Sequence, residues 1–152
     1  MKVFISHSTK DLHLIDRFEQ TIRAAGIQPY VASGDDRPGT PLWEKVKSNI
    51  KNSNCMLIVL TKSGSRSKWV QQEIGAADAM NIPVIPVVER GADRTGYLEG
   101  REVIEFERDN LGSAQDRVNL YLTRMKKKLD TQQLMGAGFL IVLAPLFLSQ
   151  GD

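Results

Sequence analysis

In the run Ser67-Lys68-Trp69-Val70-Gln71-Gln72-Glu73-Ile74 a tryptophan and a glutamate are four residues apart, which puts an indole and a carboxylate on one face of a helix. Such a carboxylate can stabilise positive charge as it develops in a reaction, or attack as a nucleophile, while the indole walls the pocket. Ser6, His7 and Ser8, in the first loop, offer two hydroxyls and an imidazole to a polar substrate, and Trp43 can stack on a planar ring. Asp35, Asp36, Arg37, Pro38 and Gly39 form a charged turn able to gate a pocket or meet a second copy. Each group also has an ordinary reading. An acid early in a helix is favourable beside the dipole, tryptophans commonly pack, Ser8 or Thr9 can cap a helix, and a charged turn is usually solvated.

Other reactive types are sparse. Cys55 is the single cysteine and lies inside an apolar run, so it reads as an inert core thiol and excludes an intrachain disulfide. His7 and His13 are the two histidines and make no metal-ligand spacing, so no metal is expected. No Gly-x-Gly-x-x-Gly or Gly-Lys-Ser/Thr loop is present, so no bound redox nucleotide cofactor is expected either.

The pattern of elements must bring these residues together. Lys2 to Ser6 reads as a strand, and Leu12, Ile15, Phe18 and Ile22 follow at helical spacing, with Asp11 or Thr9 as cap and Gly26 as stop. Ile27 to Val31 reads as a second strand, at an edge because of Pro29. A long loop from Ala32 to Pro41 precedes a helix marked by Leu42, Val46 and Ile50. Cys55 to Thr61 is uniformly apolar, as a strand covered on both faces should be. The helix bearing Trp69 and Glu73 comes next, then strands at Ile82 to Val88 and Glu102 to Phe106, then a helix through Val118, Leu120, Leu122 and Met125. This alternation predicts a flavodoxin-like, doubly wound, five-stranded parallel sheet over residues 1–128. With strand order 2-1-3-4-5, the crevice between the first and third strands is lined by Ser6 to Lys10 and Thr61 to Glu73.

Charge is distributed unevenly. Residues 1–123 hold 16 basic and 16 acidic side chains, and the net +2 of the 152-residue chain comes from Arg124, Lys126, Lys127 and Lys128, offset by Asp130 and Asp152. A neutral body argues against nucleic-acid binding. Residues 129–152 form an apolar tail in which Leu134 to Leu148 carry no charge. As a helix this stretch spans about 22 Å, short of a bilayer core of about 30 Å, so its uncharged flanks would have to help it act as a tail anchor. The basic cluster on its amino side would lie against the inner membrane face and keep the domain cytoplasmic. The absence of a secretory apolar core after Met1 and the lone cysteine fit the same compartment.

Three segments carry a family resemblance that extends to about residue 125. Val3 to Asp11 resembles the first box of Toll/interleukin-1 receptor (TIR) domains, Arg37-Pro38-Gly39 their BB-loop box, and Trp69-Val70-Gln71-Gln72-Glu73 the Trp-x-x-x-Glu segment of the NAD-cleaving members. The resemblance implies the TIR fold. It also implies cleavage of the nicotinamide–ribose bond of NAD+, giving nicotinamide and ADP-ribose or a cyclic isomer, with Glu73 as catalytic carboxylate and NAD+ as consumed substrate. On this reading Ser6, His7, Ser8, Trp43 and Trp69 contact the substrate. Asp35 to Gly39 mediate self-association into an active homo-oligomer, as in immune or cell-death signalling. The alternative that the resemblance leaves open is a non-enzymatic adaptor acting through homotypic contacts of the same loop.

Overall fold

The computed structural model describes residues 1–8, 11–31 and 42–148, with side chains up to residue 136. Asp35, Asp36, Arg37, Pro38 and Gly39 therefore lie outside the described residues, as do Thr9, Lys10 and the side chains of 137–148.

Five parallel strands form one sheet: β1 (Lys2–His7), β2 (Gln28–Val31), β3 (Cys55–Leu60), β4 (Val84–Glu89) and β5 (Ile104–Phe106). Their order is β2-β1-β3-β4-β5. This is the flavodoxin-like order expected from the sequence, and its switch point lies between β1 and β3. Helices α1 (Leu12–Ala24), α2 (Leu42–Lys51), α3 (Lys68–Ala79) and α4 (Gly112–Leu148) cover the two faces. Gly96–Leu98 adds one turn of 3-10 helix.

The sheet divides the core into two layers. Val3, Ile5, Cys55, Leu57 and Val59 pack against Phe18, Ile22, Val118 and Leu122 on the α1/α4 side. Phe4, Met56, Ile58 and Leu60 pack against Val46, Ile50, Val70 and Ile74 on the α2/α3 side. Every residue of β3 is buried, because its alternating side chains feed both layers. Burial pushes the Cys55 thiol up to about 12, so it stays an uncharged core group.

Two apolar stripes differ from the sequence reading. Leu12 is 52% exposed, and Leu14 takes its place beside Ile15, Phe18 and Ile22. At about 100° per helical residue, Leu14 stands roughly 40° from Phe18 and Leu12 roughly 120°. Leu120, 52% exposed, points away from the Val118 and Leu122 stripe for the same reason. Asp11 is the residue before α1 but makes no side-chain cap; its carboxylate is engaged elsewhere. Gly26 does follow the end of α1, with φ +69°, in the left-handed region that glycine enters at little cost.

Helix α4 continues beyond the body of the domain, at 37 residues. No helix among the described residues is long and apolar enough to cross a membrane, so the tail-anchor expectation for 134–148 finds no support there. In the basic cluster, Lys126 is half-buried and donates from Nζ to the Gly26 carbonyl at 3.3 Å. It thereby joins α4 to the end of α1, while Arg124, Lys127 and Lys128 are exposed.

Candidate active site around Glu73

Helix α3 begins at a defined point because the Ser67 side chain caps it, accepting from the Val70 N–H at 3.4 Å. Its buried face is Val70, Glu73, Ile74 and Ala77. That spacing is the apolar stripe of an amphipathic helix, and Glu73 occupies one of its inward positions. The dipole explanation for this acid therefore does not hold. Glu73 lies beyond the first turn, which contains no acid, and the dipole's influence fades within that turn.

Glu73 is 1% exposed. Across the switch point, Ser6 Oγ donates to Glu73 Oε2, joining residues 67 apart in sequence. Oε1 is buried and has no hydrogen-bond partner among the described residues. Burial pushes the Glu73 carboxyl up to about 7, against the smaller opposing influence of Ser6 and then Trp69. Leaving a buried polar atom without a partner costs about 1–3 kcal/mol. A leucine in this stripe would avoid that cost.

The other candidates are placed less uniformly. Trp69 packs edge to face with Trp43, ring centroids 5.7 Å apart at 75°. The pair lies partly buried at the margin of the α2/α3 layer, so Trp43 braces Trp69 one turn from Glu73. Ser6 and His7 go to opposite faces of the sheet. Ser6 pairs with Ile58 and shares the α2/α3 face with Glu73, whereas His7 pairs with Val59, whose side chain faces the α1/α4 layer. His7 is 7% exposed, and its Nδ1–H donates to the Ser8 carbonyl at 2.8 Å. Ser8 is also buried and lies against Gly64 of the turn between β3 and α3.

One group of buried polar residues escaped the sequence reading: Asp11, Thr61 and Glu89, joined through Arg108. The visible signal was an acid at the head of an apolar helix whose capping role had an alternative. Its partners are too distant in the chain to be read from spacing.

The model of the TIR domain matches residues 3–120. The chain belongs to the TIR domain family. Among solved structures, the TIR domain of the Toll-related receptor TRR-2 from Hydra magnipapillata superposes with a TM-score of 0.68 at 20% identity, covering 80% of this chain and 97% of that one. The CMP N-glycosidase BcmB of Clostridium botulinum superposes at 0.58 with 17% identity, over 80% and 99% of the two chains. The 2-deoxyribosyltransferase of Bacillus psychrosaccharolyticus gives 0.57 with 13% identity, over 78% and 90%. No curated protein matches the sequence of this TIR domain.

Proposed function

We propose that this TIR domain cleaves the nicotinamide–ribose bond of NAD+, with Glu73 as the catalytic carboxylate. The observation that carries the reading is the Glu73 side chain itself, buried in an apolar stripe and fixed by Ser6 at one oxygen while the other has no partner. Neighbours of the fold support the chemical class, since one is named as a CMP N-glycosidase and another as a 2-deoxyribosyltransferase.

The chemistry suits a single carboxylate. Heterolysis of the C1′–N bond sends the electron pair to the pyridinium nitrogen, so nicotinamide departs neutral and needs no acid to protonate it. The positive charge left on the ribose is oxocarbenium-like. The Glu73 anion stabilises it in a site with little water, where charge interactions are strong. Water then adds to C1′ and loses a proton, giving ADP-ribose; attack by a nitrogen of the adenine in place of water gives a cyclic isomer. Trp69, braced by Trp43, walls the same side of the site. Self-association through residues 32–41 is the proposed switch.

The test is to incubate the concentrated, assembled full chain with NAD+ and follow free nicotinamide, with Glu73→Ala and Glu73→Gln alongside. Wild type should release nicotinamide and the variants should not. Equal release by all three, or none by assembled wild type, sinks the reading and leaves the adaptor role.

A further inference from the structure

Two carboxylates outside the Glu73 site are almost fully buried, Asp11 at 1% exposure and Glu89 at 5%. One side chain from the loop between β5 and α4 holds both. Arg108 donates from Nη2 to Asp11 Oδ1 at 3.1 Å and from Nε to Glu89 Oε1 at 2.8 Å. The remaining oxygens reach the turn between β3 and α3. Thr61 Oγ1 donates to Asp11 Oδ2 at 2.6 Å, and the Lys62 N–H donates to Glu89 Oε2 at 2.8 Å. Burial pushes the Glu89 carboxyl up, but the hydrogen bonds from Arg108 and Lys62 and the Arg108 charge outweigh it and hold the group below the usual range.

Stability alone does not ask for this arrangement. Buried ion pairs roughly break even against apolar groups of the same volume, because desolvation offsets the attraction. What the cluster supplies is registry. The planar guanidinium fork sets two carboxylates at once, and each of these sets a point on the β3–α3 turn. Thr61 Oγ1 also accepts from the Gly64 N–H at 3.0 Å. At Gly64 the turn meets the β1–α1 connection so closely that a Cβ there would come within 2.6 Å of Ser8 Cβ. Ser6 lies two residues before Ser8, and Ser67, at the other end of the turn, caps the helix that bears Glu73.

We propose that Arg108 is a positioning residue for the Glu73 site, fixing the β1–α1 and β3–α3 connections through Asp11 and Glu89. The assignment rests on the glycosidase reading above. Arg108 does not touch Glu73 and its side chain is 40% exposed, so replacing it opens no core cavity.

The experiment uses the full chain carrying Arg108→Lys, Thr61→Val or Thr61→Ser. It reads kcat and KM for nicotinamide release, the melting temperature, and the carbon-13 NMR titration of the Glu73 carboxyl, which needs no turnover. Lysine keeps the charge but cannot span both carboxylates, so kcat should fall roughly tenfold or more with KM within about threefold. Thr61→Val, which loses the hydroxyl but little volume, should act in the same direction, and Thr61→Ser should retain wild-type behaviour. The Glu73 titration midpoint should move in Arg108→Lys and in Thr61→Val. If these two variants lower only the melting temperature, with kcat and the Glu73 midpoint at wild-type values, Arg108 is merely structural and the proposal is overturned. Should assembled wild type release no nicotinamide, the glycosidase reading fails by itself. The Glu73 midpoint then still decides for or against the positioning role.

Discussion

At the scale of single residues, the proposed function turns on an acid whose proton is held more tightly in the folded chain than in the unfolded one. The Glu73 carboxyl is pushed to about 7 by burial from an ordinary value of 4.5. Below about pH 4.5 both states are protonated and the group contributes no difference. As pH rises from there to about 7, the unfolded chain ionises first, so stability falls, by roughly 3 kcal/mol in total. Glu73→Gln should remove this loss: its melting temperature should exceed wild type at pH 8 and converge with it near pH 4. The same substitution should lower nicotinamide release by roughly a hundredfold or more. Because the anion is the working form in the proposed reaction, wild-type kcat/KM should rise with pH through about 7 and then level off. Ser6 opposes the upward shift by donating to the carboxylate. Ser6→Ala should therefore move that midpoint to higher pH, which a pH–rate series would show; an unmoved or lower midpoint would argue that Ser6 does not bind the anion.

At the scale of elements, what the sequence made legible and what it hid have physical causes. The doubly wound parallel sheet could be read because apolar runs of strand length alternate with helical periodicity and a parallel sheet needs right-handed crossovers. The uniformly apolar Cys55 to Leu60 run marked the centre for the same reason. Glu73 was legible as a candidate through its helical relation to Trp69 together with the resemblance of that segment to the TIR Trp-x-x-x-Glu box. The Asp11, Thr61, Glu89 and Arg108 cluster was not, because its hydrogen bonds join residues 50 and 97 apart in the chain. Ser6 and His7 looked alike as neighbours in a polar loop, yet β1 extends one residue further than expected, to His7, and the pleat sends the two side chains to opposite faces. The turn from Thr61 to Ser67 is where these elements meet, and at Gly64 it lies close against Ser8. Gly64→Ala would place a Cβ 2.6 Å from Ser8 Cβ and 3.1 Å from Asp11 Oδ2, which forces the two connections apart. The expected cost is about 1–3 kcal/mol in urea denaturation, accompanied by a loss of kcat larger than that of a surface substitution such as Leu12→Gln. Wild-type kcat in Gly64→Ala would show that the turn can shift without disturbing Glu73.

At the scale of the whole molecule, the sheet acts as a partition. Phe18 is fully buried in the α1/α4 layer, whereas Trp43, Trp69 and Glu73 belong to α2 and α3 on the other side. Damage to the far layer should therefore appear in stability and not in chemistry. Phe18→Ala leaves a cavity against Phe106, whose ring meets it edge-on at 6.1 Å, and should cost about 3–5 kcal/mol. At a temperature where the variant stays folded, its kcat should nonetheless lie within about twofold of wild type, since Ser6 and Glu73 keep their hydrogen bond on the other face of the sheet. Trp43→Ala makes the opposite trade. Trp43 is only partly buried, so its loss should destabilise the fold less than that of Phe18, but it frees the Trp69 indole beside Glu73 and should lower kcat severalfold. Urea midpoints and nicotinamide release measured on both variants separate the two effects. A Phe18→Ala protein that loses as much kcat as Trp43→Ala would mean that the layers are mechanically coupled through the sheet, and that the site depends on packing throughout the domain and not on α2 and α3 alone.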